Sequence, residues 1–110
     1  MSIETDREIA EKLKKRFLAA DGERILRVIL YGSRAQGSAT EESDFDFLVV
    51  EKDPVSKRQE MRRLRQAVAD LDCPVDVWVM GEQEFDETRE VIGGIAYPAH
   101  KYGVVLYENP

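Results

Sequence analysis

Apolar residues at the start of the chain recur at helical spacing, with Ile9, Leu13 and Phe17 at i, i+4 and i+8. Thr5 and Glu8 ahead of them form a Thr-x-x-Glu capping-box pattern, and Gly22 follows the last turn. The spacing predicts a helix of about four turns. The period then changes. Ile25-Leu26-Arg27-Val28-Ile29-Leu30-Tyr31 is a short apolar, β-branched run stopped by Gly32, which reads as a largely buried strand. From Gly32 to Ser43 the chain is rich in glycine and serine, predicting a loop with a short helical turn near Arg34 to Gln36. Asp44 to Val50 reads as a second strand, with Phe45, Phe47 and Val49 on one face and Asp44, Asp46, Leu48 and Val50 on the other.

Asp53-Pro54 offers an N-cap and first-turn proline for an amphipathic helix running to about Asp72, which Cys73-Pro74 ends. Val75 to Met80 has the residue types and length of a third strand, with Asp76 on the face opposite Val75, Val77 and Val79. An acidic helical stretch to about Ile92 follows, then a Gly93-Gly94 break, a helical piece from Ala96 to Lys101, and an edge strand from Val104 to Tyr107. This order predicts an α+β fold: a small sheet of three or four strands with helices packed on one face, leaving the acidic residues on the other. Repeats, low-complexity tracts and dividing linkers are absent, so residues 1–110 are expected to form a single domain.

Composition narrows the function. A single cysteine, Cys73, excludes an internal disulfide framework and a cysteine-based zinc site, and gives no sign of an oxidising compartment. No apolar leader opens the chain, and no run approaches the roughly 20 residues needed to span a bilayer, so a cytoplasmic, membrane-free setting is expected. The formal net charge of −6 opposes strong non-specific binding to nucleic acid. The densest cationic run, Lys57, Arg58, Arg62, Arg63 and Arg65, alternates with Met61, Leu64, Val68 and Leu71, and reads as the solvated face of its helix.

Acidic residues are disfavoured in strands, so Asp44 and Asp46 ask for a reason. Two residues apart on one face, their Cα atoms lie roughly 6.5–7 Å apart, close enough for the carboxylates to share a divalent cation or to bridge two ions about 3.5–4 Å apart. Oxygen ligands without a cysteine or histidine cluster favour Mg²⁺ or Mn²⁺ over zinc. If the third strand lies beside the second, Asp76 completes a self-repelling triad that a cation would relieve. Gly32-Ser33, directly after the first strand, lets the backbone approach a ligand, and its N–H groups with the Ser33 hydroxyl suit a phosphate oxygen. The Gly-Lys-Ser/Thr of a Walker loop is missing. Taken singly, Asp-x-Asp is more often a solvated strand face and Gly-Ser an ordinary turn. Taken together, the set suits in-line phosphoryl or nucleotidyl transfer.

The run Gly32-Ser33-Arg34-Ala35-Gln36-Gly37, followed by Ser43-Asp44-Phe45-Asp46-Phe47-Leu48-Val49-Val50, resembles the signature of the DNA polymerase β-like nucleotidyltransferases. More narrowly it is similar to the minimal nucleotidyltransferases, and the order of elements agrees from about Ile9 to Tyr107. The resemblance implies that Gly32 and Ser33, with Arg34 and Ser43, hold a triphosphate. It implies that Asp44, Asp46 and Asp76 are the catalytic carboxylates and bind a pair of Mg²⁺ ions. It further implies a helical HEPN-type toxin as partner, and transfer of AMP from ATP to that partner, commonly to a tyrosine hydroxyl. Gln36 departs from the pattern, since many relatives carry arginine there. Two other functions stay open: an antitoxin that neutralises by tight binding with an idle nucleotide site, and transfer to a small molecule such as an aminoglycoside. Trp78 shares the Asp76 face and could meet the base or simply pack. The basic helix and the C-terminal region with Tyr97, Tyr102 and Tyr107 are candidate partner surfaces.

Overall fold

The computed structural model describes residues 5–109. The capping box forms as the pattern predicts: Glu8 N donates to Thr5 Oγ1 at 3.1 Å and Thr5 N to Glu8 Oε1 at 3.3 Å, opening α1 (Asp6–Asp21). The other elements are β1 (Ile25–Tyr31), α2 (Ser33–Gln36), β2 (Phe45–Glu51), α3 (Lys57–Ala67), β3 (Val75–Gly81), α4 (Glu82–Thr88), α5 (Ala96–Tyr102) and β4 (Val104–Glu108). The sheet has four strands in the order β3-β2-β1-β4. β1 runs antiparallel to both β2 and β4, while β2 and β3 are parallel and α3 makes their crossover.

The alternation along β2 sorts the core. Phe45, Phe47 and Val49 join Val28, Leu30, Val77 and Val79 on the face covered by α1 and α3, where Leu13, Phe17 and Leu64 are fully buried. Phe17 meets Phe47 edge to face at 5.1 Å. α1 and α3 make the expected helical layer on this face, but the helices are not confined to it. The opposite face carries a second, smaller cluster, because Leu48 and Val50 share the side of Asp46 and need cover of their own. Ile29, Leu48, Val50 and Met80 are closed off there by Phe85 of α4 and by Ala96 and Ala99 of α5, with Tyr31 at the border of the cluster. The end of that face holding Asp46 and Asp76 lies outside this cover.

Two helices are shorter than expected, and the acidic one, α4, ends at Thr88 rather than near Ile92. α3 begins at Lys57 with Ser56 as its N-cap, and it ends at Ala67 rather than near Asp72. Asp53 caps a different helix. Its Oδ2 accepts from Gln83 N at 3.0 Å, in the first turn of α4, and a Cβ on Gly81 would collide with the same carboxylate. Local pattern placed Asp53 before the nearest helix, whereas the parallel pairing of Glu51 with Gly81 brings it to the start of α4.

At the end of β2 far from Asp46, the fully buried Glu51 lies with Asp21 of α1 and Glu60 of α3. Burial first, then Glu60 and Asp21, push the Glu51 carboxyl up to about 8, and burial with Glu60 raises Asp21 to about 6. Glu60 is held below its ordinary value, with the neighbouring Asp21 carboxyl as the largest cause. Raised carboxyls bind protons more tightly in the folded chain than in the unfolded one, so their stabilising contribution is complete at low pH and is lost as pH rises towards the folded value. In metal-free buffer the melting temperature is expected to fall between about pH 5 and about pH 8, and Glu51→Gln to flatten the decline. Thermal unfolding across that range checks it, and a wild-type profile rising with pH would contradict it.

Candidate active site

β1 ends, and β2 and β3 begin, in register at the uncovered corner of the sheet. Asp46 pairs with Tyr31 on one side and with Asp76 on the other, so the three residues form a row on one face, and the exposed Asp44 stands just ahead of β2. Burial, then Asp76 and Asp44, raise the Asp46 carboxyl above its ordinary range. Burial, then Asp46 and Asp76, lift the Tyr31 phenol to about 12, which keeps it neutral. Sequence reasoning missed Tyr31 as a member of the site. Its signal was only parity: it ends β1 on the same face as Ile29, and that matters only once β2 is known to pair antiparallel.

The turn after β1 is built against this row. Gly32 has φ +76°, and an L side chain there would drive its Cβ into Asp46 Oδ2, so glycine is required twice over. The backbone of the turn therefore lies directly against the carboxylate. Ala35 N and Gln36 N fold back onto Gly32 O at 3.1 and 3.2 Å, forming the single turn of α2, which Gly37 closes in the left-handed region.

Two residues expected to meet phosphate, Arg34 and Ser43, are tied into the loop. The Arg34 side chain is only 12% exposed. Its Nε and Nη2 donate to Ser43 O at 3.1 and 2.9 Å, Nη2 also reaches Glu41 O at 3.3 Å, and Nη1 donates to Asp6 Oδ1 at 2.9 Å. The guanidinium also lies over the Phe45 ring at 4.5 Å. Ser43 Oγ accepts from Thr40 N at 2.9 Å. Arg34 therefore ties α1, α2 and the loop to the start of β2, which fixes where Asp44 begins. Arg34→Met is expected to destabilise the fold by roughly 1–3 kcal/mol, read by urea unfolding, because several charge-assisted bonds go at once.

Asp76 is held at the sheet edge. Trp78 Nε1 donates to its Oδ2 at 3.0 Å, and Arg65 Nη2, reaching around β3 from α3, to its Oδ1 at 3.4 Å. Arg65, read from sequence as part of a solvated face, is thus tied to the acidic corner. Trp78 is 41% exposed. Among the described residues, the trio with carboxylate oxygens within 4.8 Å of one another is Asp21, Glu51 and Glu60, whereas Asp44, Asp46 and Asp76 are more widely spread. Asp44 and Asp46 nevertheless fit a hard divalent cation. They are oxygen donors of like charge at a strand end that the helices leave uncovered, with Asp44 exposed and Asp46 half-buried.

Residues 6–95 match the profile of the nucleotidyltransferase domain, and the chain belongs to that family of nucleotide-transferring enzymes. No curated protein is similar enough in sequence to count as a match. Among solved structures, the fold is similar to that of a protein from Sulfolobus solfataricus described as a nucleotidyltransferase, with TM-score 0.63 and 20% identity over 97% of this chain and 90% of that one. It is also similar to a chain of a toxin–antitoxin structure with AMP-PNP, at TM-score 0.58 and 20% identity, covering 90% of this chain and 73% of that one. A toxin–antitoxin MntA-HpeT mutant with two aspartates changed to glutamate gives TM-score 0.59 and 19% identity over the same shares. Among the described residues, no helix is long and apolar enough to cross a membrane.

Proposed function

We propose that this nucleotidyltransferase moves AMP from ATP to a hydroxyl of a partner protein, a HEPN-type toxin that it thereby neutralises in the cytoplasm. The observation that carries the reading is the packing of the Gly32 turn directly against Asp46, with Asp44 on the same strand end. A triphosphate lying on the turn would then be within reach of both carboxylates. Asp44 and Asp46, joined by Asp76, would hold Mg²⁺, which supplies neutralisation of the triphosphate and activation of the attacking hydroxyl when bound. The acceptor oxygen forms a bond to the α-phosphorus, the bond from that phosphorus to the α–β bridging oxygen breaks, pyrophosphate leaves, and a site carboxylate takes the hydroxyl proton. Gly32 and Ser33 position the phosphates through backbone N–H groups. Arg34 and Ser43 act one step back by shaping the loop, and Trp78 offers an exposed ring for the base.

The toxin–antitoxin structures of similar fold support a toxin partner, and AMP-PNP in one of them supports an adenine nucleotide. A second reading, neutralisation by binding alone, is favoured by one observation: Arg34 is committed to the loop and Gln36 is uncharged, leaving the turn short of cations for phosphate. Intact mass spectrometry of the co-purified helical partner, after incubation with Mg²⁺ and ATP, separates the two. A gain of nucleoside monophosphate that vanishes with Asp44→Asn/Asp46→Asn supports transfer. A stable complex without mass gain supports binding alone.

A further inference from the structure

The most unbalanced part of the molecule lies away from the nucleotide site. Among the described residues, the buried side-chain atoms without a hydrogen-bond partner are Asp21 Oδ2, Arg24 Nε, both Glu51 oxygens and Glu60 Oε1. All belong to one cluster. Glu51 stands five positions along β2 from Asp46, roughly 16 Å away, and is entirely shielded from solvent. Its neighbours come from the last turn of α1 and the first turn of α3.

Two arginines approach this cluster without satisfying it. Arg24 Nη2 donates to Lys52 O at 3.1 Å and Pro54 O at 2.6 Å, and its Nε stands 3.6 Å from Glu51 Oε1. Arg63 Nη2 donates to Ala20 O at 3.0 Å, and its Nη1 stands 3.8 Å from Asp21 Oδ1. Their hydrogen bonds go to backbone carbonyls, so three carboxylates face two guanidinium groups at long range, and both Glu51 oxygens, Asp21 Oδ2 and Glu60 Oε1 stay without a hydrogen bond. Each carboxylate offers an oxygen within 4.8 Å of the others. That span suits ligands on opposite sides of a cation with metal–oxygen distances of about 2.1–2.4 Å.

We propose that Asp21, Glu51 and Glu60 form a second site for a hard divalent cation, Mg²⁺ or Ca²⁺, which pins α1, β2 and α3 together independently of the nucleotide site. Two observations carry it: oxygens from three elements gathered on one point, and a fully buried Glu51 with both oxygens unpartnered and aimed into the gathering. A buried carboxylate in that state is costly unless protonated or bound to a cation.

The test uses the Asp44→Asn/Asp46→Asn protein, which lacks two of the three carboxylates proposed to hold Mg²⁺ in the nucleotide site. Thermal unfolding is followed in chelator, then with Mg²⁺ alone and with Ca²⁺ alone. At saturation at least one ion is expected to raise the melting temperature by about 5–10 °C, and the ion with the larger shift identifies the preference. Glu51→Gln added to that background is expected to remove the shift. Glu60→Gln and Asp21→Asn repeat the test should Glu51→Gln fail to fold. No shift with either ion, or a shift unchanged in these variants, would overturn the proposal and leave the cluster as carboxyls that share protons.

Discussion

Asp44→Asn/Asp46→Asn is expected to lower nucleotidyl transfer by at least about a thousandfold while leaving the fold intact. Both amides keep the size of the carboxylate but lose the charge that binds a hard cation. Folding should tolerate the change. Asp44 is exposed, and Asp46 is a group whose ionised form is disfavoured in place by burial and by its acidic neighbours. Removing that charge relieves repulsion around neutral pH, so the melting temperature should stay level or rise. Transfer of label from α-³²P-ATP, run beside thermal unfolding, checks both halves. Asp53→Asn is the matched control, because asparagine can still cap α4 through the same contact with Gln83 N. Equal activity in the double variant and the control would remove the metal role from this strand end.

Gly32→Ala carries the second large effect and acts through geometry rather than charge. The turn demands a positive φ that alanine resists, and the added Cβ collides with Asp46 Oδ2. With ψ at −159° the backbone lies in a region essentially reserved for glycine, a strain of about 1–3 kcal/mol, and relief of the collision must move either the turn or the carboxylate. Activity is expected to drop by about a hundredfold or more, since a shift of about 1 Å in a positioning group can cost that much. Gly37→Ala separates the two causes. Gly37 also has positive φ, at +75°, but no atom lies within 4 Å of where its Cβ would stand, so that variant should lose stability and keep most of its activity. Comparable activity losses in the two variants would deny the contact between turn and carboxylate its role.

Much of the fold was legible in local pattern, and particular residues show why. Thr5, Glu8 and Gly22 mark α1 because caps are short-range hydrogen-bonding devices, readable within a few residues. The alternation from Phe45 to Val50 assigned each side chain to a face before any partner strand was known. The edge strand after Gly103 was likewise readable from its apolar run. Asp53 misled because a cap can serve any helix whose N-terminus comes within reach, and the one brought to it starts about thirty residues later. The ties of Arg34 to the loop were not legible, because a cation beside a phosphate-binding pattern has the same residue type whether it faces ligand or backbone.

The sequence by itself determined the order of elements, the acidic parity of the β2 start and the glycine turn ahead of it, since each depends on neighbours close along the chain. Tertiary structure decided the pairing that aligns Tyr31, Asp46 and Asp76, the reach of Arg65 and Trp78 to Asp76, and the commitment of Arg34 to the loop. It also decided the gathering of Asp21, Glu51 and Glu60, three carboxylates from separate elements that no spacing connects. Such contacts follow from strand order and helix packing, where residues distant along the chain become neighbours only after the apolar faces have closed.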